Sequence, residues 1–190
     1  DLAFVTGPPE MGRRFFNQTL SLFDPLFIAL LRSYRRLLRA RNVLLKDANR
    51  ALLPSFDRNL AETGLRIQKR RQDIVEEFNR SFSALFSSIS GLEEPASIQY
   101  RASWRKAAAL EDALQILDRS RERDLAMQMT TTGPHRDRFV LMQGGREFAP
   151  LASTGQIRLC SLILRVAQGS FYQAKTGKKV TLPTEAQWEW

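Results

Sequence analysis

The sequence predicts a mainly α-helical chain with a small α+β part. Three observations carry that reading. Two long runs with helical apolar spacing lie on either side of Leu53-Pro54-Ser55, the pattern of an antiparallel helical hairpin. A third, shorter helical run follows over 104–125. After it the period changes: an apolar strand at Phe139–Met142, a Gln143-Gly144-Gly145 turn, a return strand at 146–148, and then an apolar helix introduced by small polar residues. Hairpin and third helix, then strand–turn–strand–helix, is the order expected of a helical insertion that feeds back into an α/β domain whose remainder lies outside this chain.

Taken in order, residues 1–22 read as a lead-in, with Gly7-Pro8-Pro9 as a breaker and Arg13-Arg14 set beside Phe15-Phe16. Asp24-Pro25 is a helix start, Asp as N-cap and Pro at the first helical position. The helix predicted from Pro25 to Leu53 carries Phe27, Leu30, Leu31, Tyr34, Leu37, Leu38, Leu44 and Leu45 on one stripe, interrupted by Arg41. Arg32, Arg35, Arg36 and Arg39 occupy its other side at spacings of three and four. Such a face is either solvated or tracks phosphates. Four like charges without acidic neighbours at helical spacing repel one another, which weighs against the first. The second helix is predicted from Phe56 to Ser90 on the heptad-like series Leu60, Ile67, Ile74 and Phe78, Leu85, ending at Gly91. The charges of its middle, including Lys69-Arg70-Arg71, read as a solvated face. A short strand is expected at Ser97–Arg101, and a third helix over Trp104–Leu125 with Leu110, Leu114 and Leu117 as its stripe.

The last helix begins at Ala152–Gln168, ASTGQIRLCSLILRVAQ, with Leu159, Leu162, Ile163 and Val166 as the apolar run. Ser or Thr before such a run is an N-cap signal. Either this is an ordinary capped helix, or its free N–H groups and dipole, beside a hydroxyl and a glycine, seat a phosphate. Thr130–Asp137 is a polar stretch holding the single His135. In a Gly-Pro turn beside Arg136 and Asp137, that histidine reads as structural. No substrate group marks it as a general base.

The 190-residue chain has 43% hydrophobic residues, enough for a packed core, and a net charge of +9 from 29 Lys and Arg, most of them Arg. A planar guanidinium bonds phosphate bidentately, so the excess points first to nucleic acid. A solubilising surface is the alternative. No apolar run reaches the length of a membrane span, and the start lacks the pattern of a signal peptide, so a cytoplasmic setting without membrane attachment is expected. Cys160 stands alone in an apolar helix and reads as a small buried hydrophobe. One His and one Cys leave no zinc site to expect.

At Thr131-Thr132-Gly133-Pro134-His135-Arg136-Asp137, Gly144-Gly145 and Ser153-Thr154-Gly155-Gln156-Ile157-Arg158 the chain resembles the RecF family of bacterial DNA replication and repair proteins, SMC-like members of the ABC ATPase class. Gly7-Pro8 with Arg13-Arg14-Phe15-Phe16, Tyr34-Arg35-Arg36 through Lys46, and Leu60-Ala61-Glu62-Thr63-Gly64 with Ile67 and Arg71 match its other motifs in order, over residues 4–179. The resemblance implies a lead-in from the ATPase lobe (1–22), a helical arm domain (23–128), a returning lobe segment with the ABC signature (129–179) and an atypical tail (180–190). It implies ATP with Mg²⁺ in the complete protein, an ATP-dependent homodimer, and DNA as partner at single-strand/double-strand gap junctions. It also implies help from RecO and RecR in loading RecA, within recombination and the SOS response. Ser153 and Gly155 would contact the γ-phosphate of ATP held by the other subunit, supported by Gln156 and Arg158, and the alternative to a structural role for His135, with Arg136 and Asp137, would be to position a nucleotide-sensing hairpin.

Departures from the pattern go with it. The sequence contains no G-x-x-x-x-G-K-[ST] loop, which the family carries at a place upstream of Asp1. The Walker B strand expected after Lys179 is replaced by 180–190, so no hydrolysis by this chain alone and no catalytic or metal-binding residue is expected. Asn17 and Arg138 stand where the family has Asp. Leu182-Pro183-Thr184-Glu185-Ala186 with Trp188-Glu189 is similar instead to the formylglycine-generating, sulfatase-modifying enzymes. The alternative function is a nucleotide-independent helical module that binds DNA or a partner protein through charge.

Overall fold

The computed structural model describes residues 2–47, 50–91 and 94–180. Among these, seven α-helices and three strands follow one another: α1 (Leu2–Thr6), α2 (Pro9–Ser21), α3 (Pro25–Lys46), α4 (Leu53–Ser90), β1 (Ala96–Arg101), α5 (Leu110–Arg119), α6 (Arg121–Met127), β2 (Arg138–Gln143), β3 (Arg146–Glu147) and α7 (Thr154–Thr176). Mainly helical with a small antiparallel sheet, this is the predicted class.

The hairpin of α3 and α4 is present, with its corner displaced. α3 stops at Lys46, short of the predicted Leu53, and Asp47 is extended at φ −85° and ψ 154°. Pro54 lies in the first turn of α4, where its missing N–H costs no bond, so the proline opens the second helix. The lead-in is also more ordered than expected. Pro9 starts α2 behind an extended Pro8, so Gly7-Pro8-Pro9 ends α1 and launches α2. Asp24 caps α3 as predicted, its side chain accepting from the Phe27 N–H at 3.3 Å. The third helix is two, α5 and α6, parted at Ser120, and residues 104–109 precede it as turns around the fully buried Trp104.

The sheet has the order β1–β2–β3, both pairs antiparallel, with Ala96 opposite Gln143 and Arg101 opposite Arg138. Gly144 and Gly145, at φ 54° and 75°, make the two-residue turn between β2 and β3. α4 seals the free edge of β1: the Asn79 amide donates to the Ile98 carbonyl at 2.9 Å and accepts from its N–H at 2.8 Å.

One core joins the early helices, the sheet and α7, and phenylalanine dominates it. Phe16 of α2 stacks on Phe139 of β2 at 4.5 Å between ring centroids, and Phe78 of α4 meets Phe171 of α7 at 5.9 Å. Such pairs contribute about 0.5–1.5 kcal/mol each beyond the area they bury. α7 faces this core with Cys160, Ile163, Leu164, Ala167 and Phe171. Leu162 and Val166, half of the predicted apolar run, are 65% and 51% exposed, because α4 and α1 take the neighbouring face of the helix. Residues 182–189, where the tail resembles sulfatase-modifying enzymes, lie outside the described residues.

Candidate functional site

α7 begins as its sequence predicts. The Ser153 hydroxyl accepts from the Gln156 N–H at 3.3 Å, and the Gln156 side chain accepts from the Ser153 N–H at 2.8 Å, a reciprocal capping box. Ser153, Gly155 and Arg158 are exposed, and no acidic residue lies in the first turn. The Ser153 hydroxyl therefore still has its proton to give, the helix dipole is unopposed, and a Cβ added at Gly155 would touch only Ser153 Oγ at 3.9 Å. This donor set fits a terminal phosphate approaching from solvent. The Gln156 side chain faces back into the cap, so it supports the end of the helix and does not reach toward a ligand.

His135, Arg136 and Asp137 come together in the structure but have different roles. The carbonyl of Thr130 can only accept, so His135 Nε2, 3.0 Å away, carries the proton. Nδ1 then accepts from the Tyr34 hydroxyl at 2.9 Å, pinning the turn to α3. Burial pushes the His135 pKa down to about 4, so the ring is neutral at ordinary pH. Arg136 is exposed, its guanidinium 3.8 Å from Met129 Sδ.

Asp137 is fully buried and is the centre of a polar cluster. One carboxylate oxygen accepts from Arg71 at 2.7 Å and from the Tyr100 hydroxyl at 2.5 Å, the other from the Ser103 N–H at 2.8 Å. Desolvation raises its pKa against the pull of Arg71. Arg71 also donates to the Pro134 carbonyl at 2.6 Å and to Asn17 Oδ1 at 3.1 Å. The reading of Arg71 as part of a solvated face is thus corrected: Arg70 and Lys69 are exposed, whereas Arg71 follows Leu60, Gly64 and Ile67 on the buried side of α4 and is 3% exposed. Asn17 keeps the acceptor that the RecF pattern supplies with Asp, without the charge. Arg138, in place of the other Asp, is an exposed residue at the start of β2.

Arg41 forms a second buried cluster. Its guanidinium donates to Asp57 and Asp124 at 2.6 Å each and to Thr130 Oγ1 at 2.9 Å, joining α3, α4 and α6 to the segment that leads to His135. The interruption of the α3 apolar stripe at Arg41 was the signal: a cation on the buried side of a helix needs partners.

Arg32, Arg35, Arg36 and Arg39 all lie on the outer side of α3, and none is in an ion pair among the described residues. Also among those residues, no group of three or more His, Cys, Asp and Glu side chains could hold a metal, and no helix is long and apolar enough to cross a membrane.

No protein-family model matches the chain. It is 37% identical over 178 residues to the DNA replication and repair protein RecF of Treponema pallidum (strain Nichols), a match covering 94% of this chain and 50% of that protein. To the protein of the same name from Anaeromyxobacter sp. (strain Fw109-5) it is 36% identical over 192 residues, with the same coverages. The solved structure of the recombination mediator protein RecF-ATPrS in the RecFOR pathway superposes with a TM-score of 0.87 at 28% identity, over 94% of this chain and 50% of that one. The RecF-ATP structure of the same pathway matches equally well, at a TM-score of 0.87 and 29% identity. The chain spans about half the length of the curated relatives it matches. The resemblance of the tail to sulfatase-modifying enzymes finds no support in these comparisons.

Proposed function

Because sequence and fold both run with RecF over nearly the whole of this chain, we infer that it is a segment of a RecF-type DNA replication and repair protein, one that supplies a DNA-binding arm and one edge of a nucleotide site. The observation that carries the DNA-binding part is the outer arginine face of α3, which forms no ion pair among the described residues. Four guanidinium groups with no internal counter-charge can neutralise backbone phosphates and release the cations condensed on the nucleic acid, which favours association. The nucleotide part rests on the α7 N-terminus. Ser153 Oγ and the Gly155 N–H would meet the terminal phosphate of ATP, with its Mg²⁺, carried by a second copy in an ATP-dependent homodimer. Bound nucleotide would supply the bridge between copies. This chain's own contribution is to orient a hydroxyl and backbone donors at the exposed helix end. In the complete protein these parts would serve RecA loading at gaps together with RecO and RecR, in the cytoplasm.

DNA binding by the complete protein, measured by fluorescence anisotropy over a series of salt concentrations with and without ATP, tests this reading. The log–log slope is expected to be clearly negative, and a slope near zero would remove phosphate neutralisation as the mechanism. A second reading, a module that binds DNA or a partner without nucleotide, is favoured by the same arginine face, which involves no part of α7. Equal affinity in both arms of the titration selects it.

A further inference from the structure

α2 and α3 enclose a groove of about 590 Å³, and its lining is strongly one-sided in charge. Arg13 and Arg14 of α2 and Arg32 and Arg35 of α3 line it, with Glu10 as the only acid among the described lining residues. None of the four arginines is in an ion pair among the described residues. Arg71, beneath, is paired with Asp137 at 2.7 Å and so adds little net charge to the groove; burial first and then repulsion from Arg71, against the pull of Glu10 and Asp137, lower the Arg13 pKa. We propose that this groove is where the phosphodiester backbone of a DNA strand lies, so that the binding surface is the α2–α3 concavity and not the outer arginine stripe of α3 as a whole. The proposal rests on the DNA-binding reading above and adds Arg13 and Arg14 to it.

Two contrasts within the molecule single out this groove. A larger one, of about 770 Å³ between α4 and β1, is also lined by cations. There Lys69 is paired with Asp73 at 2.7 Å, Arg70 with Asp24, and Arg101 with Glu147 at 2.5 Å, so much of its charge is already neutralised. On α3 itself, Arg36 and Arg39 share the cationic side of the helix but do not line the α2–α3 groove. The groove also tells what kind of contact to expect. Of the two rings in its described lining, Tyr34 is 3% exposed and His135 is held through both nitrogens, by the Tyr34 hydroxyl and the Thr130 carbonyl, so neither is free to swing out and stack on a base. Binding is through the backbone and indifferent to base sequence.

The test compares two variants of the complete protein, R14Q/R32Q/R35Q and R36Q/R39Q, each checked for native circular dichroism. Arg13 is left in place because it also donates to the Asp137 carbonyl at 2.9 Å. The probes are a labelled dT oligonucleotide and a mixed-sequence duplex; preference between them tells whether the strand is a free one or one strand of a helix. The groove variant is expected to bind the preferred probe about tenfold or more weakly. Its log–log salt slope should fall by about 2, at roughly 0.7–0.9 for each phosphate no longer neutralised, while R36Q/R39Q stays within about twofold of the wild type. Equal losses in both variants, or a larger loss in R36Q/R39Q, overturn the groove while leaving DNA binding intact. Wild-type protein that binds neither probe overturns both.

Discussion

His135 shows how a single side chain of this fold should respond to pH. The ring is neutral and hydrogen-bonded at both nitrogens in the folded chain, with a pKa near 4 against an ordinary 6.5. Between those values the unfolded chain binds a proton that the folded chain does not, so this residue contributes stability that is gained as pH rises from about 4 to about 6.5 and lost on acidification. Urea unfolding of wild type and His135→Gln at a series of pH values checks the sign: the difference in stability should shrink as pH falls through that window. Arg71 supports a stronger statement. Arg71→Met leaves the Asp137 carboxylate buried without its cation, and the expected cost is about 3–5 kcal/mol in the same denaturation experiment at neutral pH. Neither buried arginine cluster is evident from composition. Charge runs are ordinarily solvated, and only the helical phase of Arg41 and Arg71, each falling on an apolar stripe, distinguishes them from Arg39 and Arg70 on the outer faces.

At the scale of elements, the capped start of α7 was legible because capping is local: Ser153 and Gln156 are three apart, and their bonds involve no other segment. The same local chemistry separates the structural from the functional role. Ser153→Ala should cost about 1 kcal/mol of stability in urea unfolding. Ser153→Asp keeps a capping acceptor and so keeps the stability, but sets a negative charge where a phosphate would approach. ATP-dependent association of the complete protein, followed by light scattering, should be lost in the Asp variant. The division of α3 from α4 was less legible, because a proline serves equally as a stop and as a first-turn residue. Gly64 carries a prediction for the long helix. A Cβ there would lie 2.6 Å from Cζ3 of Trp104, a rigid and fully buried ring. Gly64→Ala should therefore destabilise by about 1–2 kcal/mol in thermal unfolding, the crowding exceeding the roughly 1 kcal/mol that alanine ordinarily adds to a helix.

For the whole molecule, the class of fold followed from periodicity, and the RecF resemblance from motifs spread over the chain in order. The assembly of those motifs did not. Tyr34, Arg71, Asn17 and Asp137 come from four separate stretches, and only the packing of α2, α3 and α4 around the Gly133–Asp137 turn brings them together. The same packing lays Arg13 and Arg14 opposite Arg32 and Arg35, turning two ordinary basic pairs into one groove. The central claim is that this concavity holds DNA, and arginine-selective modification of the wild-type protein, read by mass spectrometry with and without a bound oligonucleotide, tests it most directly. DNA is expected to protect Arg14, Arg32 and Arg35 while Arg66 and Arg105, on the other groove, react as before. Protection confined to Arg66 and Arg105, or none at any of the five, would contradict it.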